Sequence, residues 1–239
     1  MNGASTVPRR LTERRMFLAS AAGALLVVFA GFARTYYLKG AFGAPALPAH
    51  VHLHGVVMSS WFLLFLVQVV LVATRRTGAH RKLGVAGACL AATMVILGLE
   101  TAIVATRRDL AGPVGAAAIA FVAVPFFDML VFGGLVTAGI ALRKRLAAHK
   151  RLMLVASMSL LPAAIARIPV PFGSMDTPLM FFGLTDVLIL AAAAFDTVRN
   201  RKLHPAFLWG TLVVVASQVL RLWLSETEIW RQFAMWLVG

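Results

Sequence analysis

The sequence predicts an all-α protein, a bundle of seven transmembrane helices with the N-terminus inside, the C-terminus outside and a short interfacial helix at the end. Three observations predict it. Of 239 residues, 60% are apolar and only 13% are charged, against about 45–50% and about 25% in a soluble domain. Seven runs approach the roughly 20 apolar residues that a helix needs to cross the hydrocarbon core. The basic residues collect in alternate connections, as they do when Lys and Arg mark the cytoplasmic side.

The first run is Met16–Leu38, behind a basic stretch at 1–15 with Arg9, Arg10, Arg14 and Arg15. Arg14-Arg15-Met16-Phe17-Leu18 has the look of a twin-arginine export signal. The apolar run that follows is as long as a full span and lacks a clean small-residue cleavage site, so it reads as an uncleaved first helix. Cleavage would leave six helices. The next runs are Val51–Ala73, Leu83–Thr106, Gly115–Leu142, Leu152–Ile168, Leu179–Val198 and Ala206–Leu224. Their connections are short, which predicts one transmembrane domain over 16–225. In the last segment, 226–239, Ser225-Glu226-Thr227-Glu228 reads as a capping box. Ile229, Trp230, Phe233, Trp236 and Leu237 then recur at helical spacing, as in a helix lying in the outer interface.

With the N-terminus inside, sixteen of the 23 Lys and Arg fall on cytoplasmic segments. Beyond Arg9, Arg10, Arg14 and Arg15 these are Arg75, Arg76, Arg81, Lys82; Arg143, Lys144, Arg145, Lys150, Arg151; and Arg199, Arg201, Lys202. The net charge of +14 therefore encodes topology and not nucleic-acid binding. A bacterial cytoplasmic membrane is the expected location. The apolar content excludes disorder. The single cysteine, Cys89, excludes a disulfide framework and a cysteine-based metal centre.

Ionisable groups inside the bilayer cost at least about 2.5–3.5 kcal/mol near its centre and mark function or a structural pair. Glu100 and Asp186 lie roughly 8 and 11 Å below the outer ends of the third and sixth spans, at 1.5 Å per residue. Arg167 and Arg221 fall in the outer turns of the fifth and seventh. Asp128 is near the middle of the fourth, just after Pro125, which can kink the helix. On the second span His54, Trp61 and Gln68 share a face through their seven-residue spacing. The leading reading joins these residues: His54, Trp61, Gln68, Glu100, Asp128, Arg167, Asp186 and Arg221 would wall an outer-facing polar pocket. The protein would bind or pass a small ligand, a proton or a metal ion there, or act as an accessory subunit of a membrane complex. A proton relay through Asp128 is one version. The competing reading is an ion-pair network that locks the bundle. His50 and His54, four apart in His-Val-His-Leu-His-Gly, are the candidate divalent-metal ligands.

The three cytoplasmic hairpins each carry a basic cluster followed by a histidine, His80, His149 and His204. The alternatives are helix-pair duplication and basic loops demanded by topology alone. A b-type haem needs two histidines facing each other from different helices. The outer histidines all come from one segment, so the haem alternative, a membrane electron-transfer protein, falls on His80 and His149. A seven-helix zinc hydrolase is disfavoured, because the last span holds no histidine and the cytoplasmic half no His-x-x-x-His. Ser157, Ser159 and Ser217 have no histidine at helical spacing. The chain thus reads as non-catalytic.

His54-Gly55, Gln68, His80-Arg81-Lys82-Leu83-Gly84, His149-Lys150-Arg151-Leu152-Met153 and Arg167 form a pattern. In it the chain resembles a loosely defined family of predicted bacterial multi-pass membrane proteins, known as a domain of unknown function. The resemblance covers roughly 50–168. It implies a bacterial multi-pass protein and brings no substrate, cofactor or catalytic residue. This chain has more helices than the smaller members.

Overall fold

The computed structural model describes residues 6–169 and 175–239, with side chains from residue 12 onward. Arg9 and Arg10 of the basic N-terminus therefore lie outside the described side chains. The elements are α1 (Thr6–Phe32), α2 (Ala49–Ala73), α3 (Thr77–Leu110), α4 (Ala117–Phe121), α5 (Ala123–Ala141), α6 (Leu146–Met158), α7 (Pro162–Ile165), α8 (Pro178–Asn200), α9 (Pro205–Ser225) and α10 (Glu228–Val238). No strand occurs among the described residues. Six stretches are long and apolar enough to cross a membrane: Thr12–Tyr37, Ala49–Ala73, Thr77–Leu110, Ala117–Ala141, Pro178–Asn200 and Pro205–Ser225. This is the character of a multi-pass integral membrane protein. Large apolar side chains such as Leu26, Val85, Leu179 and Val198 stand outward, where a bilayer would cover them.

The fifth predicted run, Leu152–Ile168, is not one continuous helix. Pro162 has no N–H, so the carbonyl of Met158 is taken instead by Leu161 N at 3.0 Å, and the helix breaks into α6 and α7. The broken segment is tied to its neighbours near both of its ends. At its start Arg151 meets Asp196 near the end of α8; at its finish Arg167 stacks over Phe32 at the end of α1. Non-helical backbone at membrane depth is tolerated when protein surrounds it. Here Leu154, Val155, Ala156, Ser157, Ala164 and Ile165 are wholly buried. Gly31 of α1 makes the close approach possible, since a Cβ there would stand 2.1 Å from the carbonyl oxygen of Ala164.

Pro125 acts similarly. It denies Phe121 its helical hydrogen bond, and α4 gives way to α5 at Val122. The first span ends in a π-helical turn, Ala33–Tyr37, that carries two tyrosines onto α2. Tyr36 donates to the carbonyl of His52 at 3.1 Å, and Tyr37 shares a 2.6 Å hydrogen bond with Ser59. Gly55 leaves room for the Tyr36 ring, which a Cβ would meet at 2.5 Å.

The C-terminal helix α10 differs from its sequence reading at the cap. Ser225 is the last residue of α9 and donates to Leu222 O. Thr227 is the N-cap, accepting from Trp230 N at 3.2 Å, and Glu228 pairs sideways with Arg231. Trp230, Ala234 and Val238 face the bundle, while Ile229 and Trp236 stay about three-quarters exposed (75% and 76%). The Trp230 indole N–H donates to Ile119 O at 2.8 Å, and Arg107 donates to the carbonyl of Val238, so α10 is strapped to α3 and α4.

Candidate functional site

The eight residues read as one pocket separate into distinct groups. Asp128 and Arg221 form a buried ion pair between α5 and α9. The guanidinium also donates to Val124 O at 3.1 Å and to Ser217 Oγ at 2.9 Å, and it lies between the rings of Phe127 and Phe182. That enclosure satisfies the rigid fork of donors. Three residues before Arg221 on α9, Gln218 donates to Asp186 of α8 at 2.9 Å. Trp61 donates to Ser157 on α6 at 3.2 Å and packs edge-on against Phe132. Glu100 is exposed on α3. Arg167 donates to Ala163 O at 2.5 Å, stands over Phe32 and is exposed at the bundle end. His54 is half-buried, and its Nδ1 is enclosed without a hydrogen-bond partner among the described residues. The cavity under α10, about 60 Å³, is lined by Leu99, Ala102, Ile103, Val122, Phe126 and Leu237, none of them among the eight.

The shared face of α2 is real in register but serves three levels. His54, Trp61 and Gln68 all turn inward, successive members about 10 Å apart along the axis at 1.5 Å per residue. They address α3, α6 and the start of α3 respectively. His50 and His54 remain one turn apart on α2. No group of three or more His, Cys, Asp or Glu that could hold a metal occurs among the described residues.

Gln68 leads to the basic end. There the first turns of α3 and α6 bring His80 and His149 together, ring centres 6.3 Å apart and planes at 74°. Each ring is held at Nδ1. His149 Nδ1 lies 2.8 Å from the carbonyl of Gly139 on α5. His80 Nδ1 lies 2.7 Å from the Gln68 side-chain amide, and the ring also lies against the Gln68 backbone. The His80 ring thus has two partners on Gln68, its side chain and its backbone, whereas His149 Nε2 is left for another partner. Both histidines are half-buried, and Arg81 and Lys82 beside them are exposed.

His204 takes a different part. It is the N-cap of α9, its Nδ1 accepting from Ala206 N at 3.1 Å. Partial burial, then the nearby Arg151, hold its pKa below the usual 6.5, with Asp196 opposing. The three-hairpin echo therefore resolves into one facing pair and one cap.

The basic end also holds a pair that the sequence reading passed over. Arg151 grips Asp196 with two hydrogen bonds, Nε–Oδ2 at 2.9 Å and Nη2–Oδ1 at 2.7 Å. Both side chains are buried, and Glu13 reaches the same guanidinium at 3.7 Å while also binding Lys150. Counting Arg151 as a loop cation hides this role. The available signal was Asp196 itself, an acid inside the predicted run Leu179–Val198.

Comparison with known families, curated proteins and solved structures finds no match to this chain. Function is therefore read from the geometry.

Proposed function

We propose that the chain is a membrane electron-transfer protein that holds a b-type haem between His80 and His149 at the basic end of the bundle. The observation that carries this reading is the approach of two imidazoles from different helices, edge-on and 6.3 Å apart, each held at Nδ1. Metal–imidazole bonds are about 2.0 Å long, so two imidazoles on opposite faces of one metal put their ring centres about 6 Å apart. The pair spans 6.3 Å. Ligating histidines nearly always donate the second ring N–H to an acceptor that fixes tautomer and orientation, and the Gly139 carbonyl supplies one to His149. The donor set suits haem iron, whose contribution when bound is one-electron transfer. Arg81 and Lys82, exposed at this rim, suit the acidic edge of a haem.

The same reading makes the whole segment 146–168 a seventh, broken crossing. The N-terminus and the haem end then face the cytoplasm of a bacterial inner membrane, in line with the sixteen basic residues on that side. Arg221–Asp128 and Arg151–Asp196 act as interhelical locks. Their support is that each acid is spent on an arginine.

The test is an absorption spectrum of protein purified from haem-replete cells. A Soret band is expected, lost in His80→Ala and in His149→Ala and kept in His54→Ala. A colourless wild-type protein overturns the reading.

A further inference from the structure

Asp186 is a membrane-depth acid to which the chain gives no cation. It stands about 12 Å from one end of α8 and about 21 Å from the other, at 1.5 Å per residue, so it lies within a hydrocarbon core about 30 Å thick. Asp128 on α5 and Asp196 on α8 each close on an arginine from another helix. Asp186 instead accepts from the neutral amide of Gln218 at Oδ1, and no ion pair reaches it among the described residues. An amide fills one lone pair of a carboxylate and cancels none of its charge. Glu100 is a different case, because it lies about 35 Å along α3 from Thr77, far enough to reach the opposite headgroups.

The surroundings of Asp186 are open. The side chain is half-buried, and its helical neighbours on the same stripe stand outward. Leu179, seven residues before it, is 77% exposed, and Leu190, four after it, is 53% exposed. Gly183, three before it, has no atom within 4 Å of where a Cβ would stand. Small residues on a lipid-facing surface let a second helix come close. The stripe thus joins a close-approach point, apolar contacts on both sides and an unanswered negative charge. We propose that it docks a membrane-spanning helix of another protein that carries one lysine or arginine at matching depth. The cation sits at the Asp186 carboxylate beside Gln218, and its helix lies against Gly183. Charge complementarity selects this occupant. Acids at membrane depth are paired or turned to a bundle interior or water, and the chain supplies its own arginines to Asp128 and Asp196 but none to Asp186. A second copy meeting this stripe through a two-fold axis sets one Asp186 against another, like charge against like. The surface lies on α8 and does not involve His80 or His149, so it stands apart from the haem reading.

The experiment places the purified full-length protein in lipid vesicles with a synthetic probe. The probe is a leucine- and alanine-rich membrane-spanning peptide with one lysine eight residues from an end of its apolar stretch. A matched peptide carries leucine in place of the lysine. Association is read by energy transfer from a dye on the single cysteine, Cys89, which is exposed on α3. The lysine peptide is expected to bind the wild type at least tenfold more tightly than the leucine peptide. Asp186→Asn, which keeps the shape of the side chain, should bring the two peptides within twofold of each other, and Asp186→Glu should restore most of the preference. Gly183→Leu leaves the carboxylate in place but fills the approach, and should weaken the lysine peptide at least fivefold. Equal binding of the two peptides by the wild type, or a lysine preference that survives Asp186→Asn, overturns the proposal. Unchanged lysine-peptide binding by Gly183→Leu overturns the stripe as the docking surface. Self-association of the wild type that is lost in Asp186→Asn gives the surface to a second copy and overturns the basic partner.

Discussion

The Asp128–Arg221 region of the bundle and its basic end treat their polar groups in opposite ways. Asp128 and Arg221 close on each other, with Ser217, Val124 O and two phenylalanine rings around them. At the basic end the acids are also spent, on Arg151 and Lys150, yet two imidazoles from different helices stand edge-on to each other, ring centres 6.3 Å apart. The lesson is that an ionisable group inside a membrane protein points to chemistry only after its partners have been counted. A charge matched by a buried partner is a fastener. A pair of imidazoles with no carboxylate to answer them is where a ligand is worth seeking.

Breaking the Asp128–Arg221 fastener gives the largest expected loss of stability. Asp128→Asn leaves a buried guanidinium without its counter-charge, a change that costs about 3–5 kcal/mol, measured by thermal unfolding in detergent. Replacing both Asp128 and Arg221 by leucine should recover most of that loss, because apolar residues can replace a buried ion pair at little net cost. A double variant no more stable than the single one would show that the pair does more than fasten.

Arg151→Met comes next. It strands Asp196, but Glu13 and Lys150 stand partly in the open beside it, so the loss should lie toward the lower end of the same range. Trp61→Phe removes one interhelical hydrogen bond, to Ser157, and should cost about 1 kcal/mol by the same assay. Equal costs for Trp61→Phe and Asp128→Asn would erase the contrast between a fastener and ordinary packing.

The smallest effect is a pH dependence at His204. Its folded-state pKa lies below 6.5, first through partial burial and then through Arg151. The unfolded chain therefore binds more protons in the window between the folded value and about 6.5. Stability rises with pH across that window and is level above it. His204→Asn keeps an N-cap acceptor and should flatten the slope in melting temperature against pH. A variant with the wild-type slope would remove His204 as the cause.

Much of the fold was legible in the sequence because bilayer thickness and loop charge act on composition directly. Six of the seven runs correspond to the six helices long enough to cross. The seventh is a broken segment, and the break lies at Pro162, a residue visible in the sequence but not weighed. The site was legible in pieces. The spacing of His54, Trp61 and Gln68 gave a common face, but seven-residue spacing says nothing about which neighbour each level meets. Asp128 and Arg221 were both singled out, whereas their mutual pairing depends on how α5 and α9 pack. His80 and His149 were named as a pair, yet their support from Gln68 and Gly139 is tertiary and leaves no local signature.

The most direct measurement is haem content per chain across four proteins: wild type, His80→Ala, His149→Ala and His204→Ala. A facing-pair site predicts one haem per wild-type chain, little or none in the first two variants, and one per chain in His204→Ala, where only a helix cap has changed. Wild type without haem, or haem retained by both His80→Ala and His149→Ala, would contradict it.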